Sequence, residues 1–522
     1  MADRPNPFRN NANPQVVDDG NLSKEFRLGP RLFRDDSLMT IFVHCRGESC
    51  KPPTQLFRAL AYAFEPSMAS EKQRRQWIQS SFVLNLKLGS QRLPQELALL
   101  TVQYCIREYA IAAAWLRIAE PNTYSVDITS GIWAFYVIID GVQYFASFAN
   151  ESSANAQLIL SSKKAANAQR MYVAEDHLGI RQVHIGNSTL PVLGRSTPRL
   201  WWRTFSVHGG ARLRVHTDGI KIRHFECIPC DEISRLARNI SWLTPEHRPD
   251  LVRFHSLTST SPAQLQMTSL ICNDPRTTAY SACWDSPILY LHAHRVGESL
   301  AFYNDVVERR KNAVWLYMPK DEGEYISQIW KRSRRLTREL ALLIMTNKGR
   351  VMMVGPQPPP FWPPCNWTLL HRSNGASSRI FFDISTFGIH KLGFELPEPV
   401  SQGQSPSIPI PSSPYPESTS LDDYLYTSAL LESVIELTPC KRKVAGRSFI
   451  AGLLFRYSDG TQASVGEFRL DCVATPMAVD SSSDMWLTFD TKDGYPFVDG
   501  TDNVNYIIKA KQVYQLGREG NL

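Results

Sequence analysis

Little in this sequence advertises chemistry. It lacks a G-x-S-x-G elbow, an H-E-x-x-H helix and a glycine-rich phosphate loop, which removes the usual sequence grounds for a serine hydrolase, a zinc protease or a nucleotide enzyme. No cofactor is expected. No apolar run reaches the length of about 20 residues that spans a bilayer, and residues 1–15 have no apolar core behind a basic start. The expectation is a cytoplasmic protein, with the nucleus as the other intracellular location, and no membrane partner. Charge of one sign is also scarce: a net +7 over 522 residues is small, whereas a nucleic-acid binder concentrates far more on one face, so nucleic acid is not an expected partner. Ten cysteines in this length read as free, mostly buried thiols of a reducing compartment, and the sequons at Asn150, Asn239 and Asn366 then read as accidental.

What is present is material for a folded, sheet-rich protein. With 43% hydrophobic, 11% aromatic and 20% charged residues the chain can bury a sizeable core, and its length suggests roughly two to four domains. Residues 1–28, polar and rich in Asn and Pro, read as a disordered tail. Residues 29–120 read as helical. Leu56, Leu60, Ala61 and Phe64 recur at helical spacing, Ser70 heads a second helix through Trp77 and Phe82, and Leu97, Leu100, Tyr104, Ile111, Trp115 and Ile118 stripe a third that starts at Pro94. From 121 to 395 the period changes to two, with one helix expected at 321–335, where Glu322 and Glu324 precede Lys331, Arg332, Arg334 and Arg335 in the order the helix dipole favours. Residues 396–420 form a Pro/Ser-rich linker or insertion, and 421–522 return to short strands expected to complete the earlier β body. The fold class expected is α+β: an N-terminal helical region on an antiparallel β-rich body of prism or sandwich type.

Three hairpins can be registered. Asp140-Gly141, as a two-residue turn, pairs Ile139 with Val142 and Val137 with Tyr144, then Phe135 with Ala146 and Trp133 with Phe148. Ser458-Asp459-Gly460, as a three-residue loop with Gly460 left-handed, pairs Phe455 with Ala463 and Leu453 with Val465, and Gly466 is the residue expected to bulge. Asp218-Gly219 pairs Leu213, Val215 and Thr217 with His224, Ile222 and Ile220. That register gathers Arg212, Arg214, Lys221 and Arg223 on one face, with Arg214 opposite Arg223, a repulsion that a bound anion would relieve; the face is a candidate anion or ligand surface. At Trp201-Trp202, strand alternation is expected to bury one indole and expose the other.

Glu175-Asp176-His177-Leu178-Gly179-Ile180-Arg181 with Leu200-Trp201-Trp202-Arg203-Thr204, then Thr346-Asn347-Lys348-Gly349-Arg350 with Gly355-Pro356, then Gly452 to Gly460, form blocks that resemble a large, poorly characterised family of intracellular proteins from filamentous fungi. The resemblance spans most of residues 55–475 and implies no established activity. Within it, the order strand, Thr346 to Arg350, strand, Gly355-Pro356, and a later strand ending in Tyr457-Ser458-Asp459-Gly460 is similar to jacalin-related lectins. That likeness implies a β-prism and a glycan ligand, although the sugar-binding loop of those lectins has no counterpart that can be mapped here. Leu93-Pro94-Gln95-Glu96-Leu97 is similar to the opening of an F-box, which implies a ubiquitin-ligase substrate adaptor; the same residues are also a well-capped helix start.

Two constellations could carry chemistry. His224, Cys227 and Cys230, with His44, Cys45 and Cys50, are the candidate metal ligands, a C-x-x-C half-site whose second half is irregular; buried thiols compete with this reading. His177, His292 and His294 are the candidate acid or base residues, and alternation puts His292 and His294 on one side of a strand, where they could share a ligand. The function expected is a non-catalytic binding or interaction protein whose partner is a glycan or a protein. The alternatives are an F-box-like adaptor and an enzyme or auxiliary factor of a fungal secondary-metabolite pathway.

Overall fold

The computed structural model describes residues 61–104 (save 65, 67, 90–93, 95 and 103), 122–186, 200–228 (save 208–209), 240–244, 252–258, 264–356 (save 308–309, 311–312 and 334–339), 365–395 (save 386) and 424–479 (save 445–446), together with the backbone of four strands between 486 and 518. The tail 1–28, the first expected helix up to residue 60, most of the third, and the Pro/Ser tract lie outside the described residues. Strands dominate, mostly antiparallel, and helices are few. No described helix is long and apolar enough to cross a membrane. The chain divides into two compact units, 1–237 and 238–522.

In the first unit, α1 (Met68–Gly89) is the helix that Ser70 was expected to head, and residues 61–64, expected to be helical, are not. The strands are β1 (Thr123–Asp127), β2 (Ile132–Ile139), β3 (Val142–Ala149), β4 (Gln157–Leu160), β5 (Arg170–Glu175), β6 (Ile180–Gly186), β7 (Trp201–Ser206), β8 (Arg212–Thr217) and β9 (Ile222–Ile228), with a single helical turn, α2 (Ser162–Ala165), between β4 and β5. They pair as β3-β2-β4, β1-β8-β9 and β7-β5-β6. Ala134, Phe145 and Phe148 from the first group, Leu213, Val215 and Phe225 from the second, and Met171, Val173 and Phe205 from the third meet in one apolar core. That shared core makes three small groups of strands stable, since a lone hairpin buries too little surface.

The β2–β3 turn is the expected one. Asp140 and Gly141 both have positive φ, and Ile139 faces Val142 and Val137 faces Tyr144. Beyond Tyr136 the register shifts by one, so Phe135 meets Ser147 rather than Ala146. The β8–β9 hairpin departs further. The Asp218 carboxylate accepts from the Ile220 and Lys221 backbone N–H groups, both at 2.9 Å, which closes a four-residue loop in place of a two-residue turn. Thr217 then faces Ile222, and a further one-residue shift between His216 and Thr217 sets Val215 against Phe225 and Arg214 opposite Glu226, not Arg223. Trp201 and Trp202 are both buried, because β7 is covered on both faces and parity no longer decides exposure.

The second unit contains β10 (Ile240–Trp242), β11 (Val252–Ser256), β12 (Leu265–Cys272), β13 (Thr277–Trp284), β14 (Ile288–Arg295), α3 (Ala301–Val307), β15 (Val314–Pro319), β16 (Ile326–Ser333), β17 (Leu340–Thr346), β18 (Val351–Val354), β19 (Asn366–Arg372), β20 (Ser378–Asp383), β21 (Lys391–Glu395), β22 (Tyr424–Leu430), β23 (Val434–Val444), β24 (Arg447–Tyr457) and β25 (Gln462–Gly466). The groups β14-β13-β15, β18-β17-β16-β19 and β10-β12-β20-β21-β11 again share one core, represented by Ala282 and Leu316, Leu342 and Val354, and Phe382 and Phe394. Of residues 321–335, expected to be helical, the described ones up to Ser333 form a turn and then β16, paired on both sides by β17 and β19. The charges that suggested a helix dipole make tertiary contacts instead: Glu324 is buried against Arg350 at 3.0 Å.

The β24–β25 hairpin keeps its expected register, Leu453 with Val465 and Phe455 with Ala463, and Gly460 is left-handed at φ 84°. It is not isolated. Phe468 N–H donates to the Trp315 carbonyl of β15 at 2.9 Å, and Arg350 donates to the Gln462 carbonyl, so this C-terminal hairpin is tied to strands that precede the Pro/Ser tract.

Candidate metal centre on the β14 strand

The period of β14 places Tyr290, His292 and His294 on one face, and the turn after it, with Gly297 at φ 74°, brings Glu298 back beneath them. His294 Nδ1 lies 2.6 Å from Glu298 Oε1, and His292 Nε2 lies 3.1 Å from both carboxylate oxygens. One ligand atom from each of the three residues falls within 4.8 Å of the others. Behind the ring, Ser281 Oγ of β13 is 2.7 Å from His294 Nε2. In the strand register Ser281 faces His292, and its hydroxyl reaches His294 on the diagonal.

α3 closes the centre from the other side. Phe302 stacks on His292 with centroids 3.9 Å apart, and Tyr303 packs against Trp315 at 4.7 Å with its hydroxyl 3.5 Å from His294 Nε2. His294 is fully buried, while the His292 and Glu298 side chains keep about a fifth of their surface in solvent (22% and 19%). Burial draws His294 down to about 4, the neighbouring His292 adds to that, and Glu298 opposes it; His292 is lowered for the same first reason. Both imidazoles are therefore neutral at pH 7, the state in which a ring nitrogen can ligate a metal.

Sequence reasoning placed His292 and His294 together and missed Glu298 and Ser281. Glu298 had a faint signal, a carboxylate four residues beyond His294 across a Val-Gly turn. Ser281 had none, because only strand register brings it there.

The other expected site residues go elsewhere. His224 and Cys227 are three apart on β9 and point to opposite faces: Cys227 lies in the core, and His224 stacks on His216 at 4.2 Å. They do not converge as a metal half-site, and Cys230, His44, Cys45 and Cys50 lie outside the described residues. His177 is buried beside Tyr62 at 4.8 Å, and burial draws it down to about 4. The basic face is divided. Arg212 and Arg214 are exposed, but Lys221 is buried and bridges Asp218 at 2.9 Å, and Arg223 reaches the same carboxylate at 3.1 Å. Burial and the adjoining Arg223 bring Lys221 down to about 8, against the pull of Asp218. Asp218 thus supplies the anion that the expected surface was thought to seek from solution.

The blocks that carry the sequence resemblances hold turns and strand junctions. Asp176 accepts from Leu178 N–H and Tyr144 O–H, both at 2.8 Å, and from Arg181 at 3.0 Å. Glu175 pairs with Arg203 across the β5–β7 ladder. Asn347 accepts from Tyr325 N–H at 2.8 Å, and Arg350 bridges Asp321 at 2.6 Å as well as Glu324.

Fold and centre together define a mostly antiparallel β protein with a histidine–carboxylate cluster on one sheet. The chain matches no protein-family model and no curated protein. Among solved structures it is similar to a prostate-specific WGA16 glycoprotein lectin (crystal form II), at 13% identity over 27% of this chain and 96% of that one, with a TM-score of 0.17. At that score the similarity supports no conclusion about fold or ligand.

Proposed function

We propose that this is a binding protein whose second unit holds a divalent transition metal on His292, His294 and Glu298 and uses it to meet a partner's donor group. The observation that supports it is the convergence of two imidazole nitrogens and one carboxylate within 4.8 Å. Zinc takes nitrogen at about 2.0–2.1 Å and carboxylate oxygen at about 2.0–2.2 Å, so tetrahedral ligand atoms stand about 3.4 Å apart. The two histidine–carboxylate separations of 2.6 and 3.1 Å need to widen by less than 1 Å, and the remaining pair of ligand atoms, which lies within 4.8 Å, needs to close by at most about 1.4 Å, both adjustments of side-chain torsions. Three protein ligands would leave a fourth position, and the partial exposure of His292 and Glu298 would let a donor from solution reach it. Carboxylates, imidazoles and sugar hydroxyls are the donors such a position takes, so the glycan or protein partner expected from the sequence belongs to this proposal.

A serine-hydrolase relay through Ser281, His294 and Glu298 has the right distances and the wrong access. Ser281 is 1% exposed, and the cavity in the adjoining core is about 20 Å³, room for about one water. Glu298, once a ligand, leaves no carboxylate at the centre, among the described residues, to act as a base toward metal-bound water. Titration calorimetry with Zn²⁺ tests the proposal: the wild type should bind one equivalent, and His292→Ala and Glu298→Ala should each weaken it at least tenfold. Unchanged binding in both variants would refute it.

A further inference from the structure

We infer that Ser281 is the positioning residue of this centre: it lets His294 exchange tautomers, so that Nδ1, and not Nε2, is the metal-binding atom. The inference rests on the metal proposal above and adds to it a second residue and a specific ligand atom. Without metal, His294 Nδ1 stands 2.6 Å from Glu298 Oε1. An ionised carboxylate only accepts, so the ring proton is on Nδ1 and Nε2 is bare. Ser281, 2.7 Å away, then donates its hydroxyl proton to Nε2.

A metal on Nδ1 reverses this. The Nδ1 proton leaves as the metal–nitrogen bond forms, a proton is taken up at Nε2, and the ring stays neutral throughout. The new Nε2–H needs an acceptor. The Ser281 hydroxyl supplies one by rotating, since it both donates and accepts, and so it satisfies His294 in either tautomer. Among the described residues no other hydroxyl stands at comparable distance from Nε2: the Tyr303 hydroxyl is 3.5 Å away, and His294 is fully buried, which keeps bulk water out. Flipping the ring to offer Nε2 instead would turn Nδ1 toward Ser281 and break the 2.6 Å contact with Glu298. Phe302 and Tyr303, packed on the histidine pair, oppose that motion.

Removing the hydroxyl strands a buried N–H in the metal-bound form, and lost outer-shell partners of ligating histidines weaken metal binding about 10–100-fold. The full-length wild type, Ser281→Ala, Ser281→Thr and His292→Ala would be titrated calorimetrically with Zn²⁺. The expected result is a loss of that size in Ser281→Ala, recovery in Ser281→Thr, and loss of the site in His292→Ala. Long-range ¹H–¹⁵N correlation on histidine-labelled wild type should show the His294 proton on Nδ1 before zinc and on Nε2 after it, a readout that needs no variant to fold. Zinc binding that His292→Ala abolishes but Ser281→Ala leaves intact overturns the role of Ser281 alone. A His294 proton that stays on Nδ1 at zinc saturation overturns the assigned ligand atom. Binding unaffected by His292→Ala overturns the metal proposal and this inference with it.

Discussion

Gly452 offers a sharp test of how the C-terminal hairpin is held, because it is a glycine for space rather than for backbone angle. A Cβ built there would stand 2.2 Å from the Glu467 carbonyl oxygen and 2.7 Å from both the Glu467 carbonyl carbon and the Val465 carbonyl oxygen. All three are backbone atoms and cannot rotate away. Restoring ordinary contact at 3.4 Å means moving the chain after β25 by about 1.2 Å, the difference from 2.2 Å. That shift would break the Glu467 N–H to Ala451 carbonyl bond of 2.9 Å and pull on the neighbouring Phe468 to Trp315 bond. Overpacking together with one lost hydrogen bond costs about 2–4 kcal/mol. Gly460 is the control. It is left-handed, with nothing near its absent Cβ, so an alanine there pays only for the backbone, about 1–2 kcal/mol. Hydrogen exchange read by mass spectrometry on peptides covering 447–468 would report both. Gly452→Ala should lower protection there by the larger amount and should also loosen β15, whereas Gly460→Ala should affect only the hairpin tip. Equal losses in the two variants, or a protected β15 in Gly452→Ala, would refute the close-packed junction.

Two further outcomes follow from the buried charges. Arg350 neutralises Glu324, whose side chain is 1% exposed, and Arg350→Ala leaves that carboxylate without its cation, a loss of about 3–5 kcal/mol that should appear as faster exchange at 321–326 and at 457–466. His177 makes the first unit acid-sensitive. Its folded value of about 4 lies below the ordinary 6.5, so the unfolded chain takes up a proton first, and stability present above pH 6.5 is lost as pH falls toward 4. At pH 5 that amounts to about 2 kcal/mol. His177→Leu should flatten the fall in thermal midpoint between pH 7 and 5, and an unchanged slope would refute the assignment.

The legible parts of this chain were those governed by neighbours in sequence. The β24–β25 register followed from alternation and from Gly460, and the β2–β3 turn from Asp140-Gly141, because a tight turn and a period of two leave few alternatives. The same reasoning failed at β8–β9, where the Asp218 side chain builds a loop that no count of turn residues reveals. It failed again from 321 to 333, where Glu324, part of a charge order suited to a helix, instead pairs with Arg350 far along the chain. Trp201 and Trp202 illustrate a third limit: alternation assigns residues to faces, but only packing says whether both faces are covered.

The β14 centre divides along the same line. That His292 and His294 share a face is a property of strand geometry and was written in their spacing. That Glu298 turns back beneath them was suggested by Gly297 but not required by it. That Ser281 stands behind His294 depends on which strands become neighbours, and that Phe302 covers His292 depends on how α3 packs against the sheet. Those neighbours are chosen by burial of a core drawn from residues far apart in the chain, a cooperative result that no local pattern encodes.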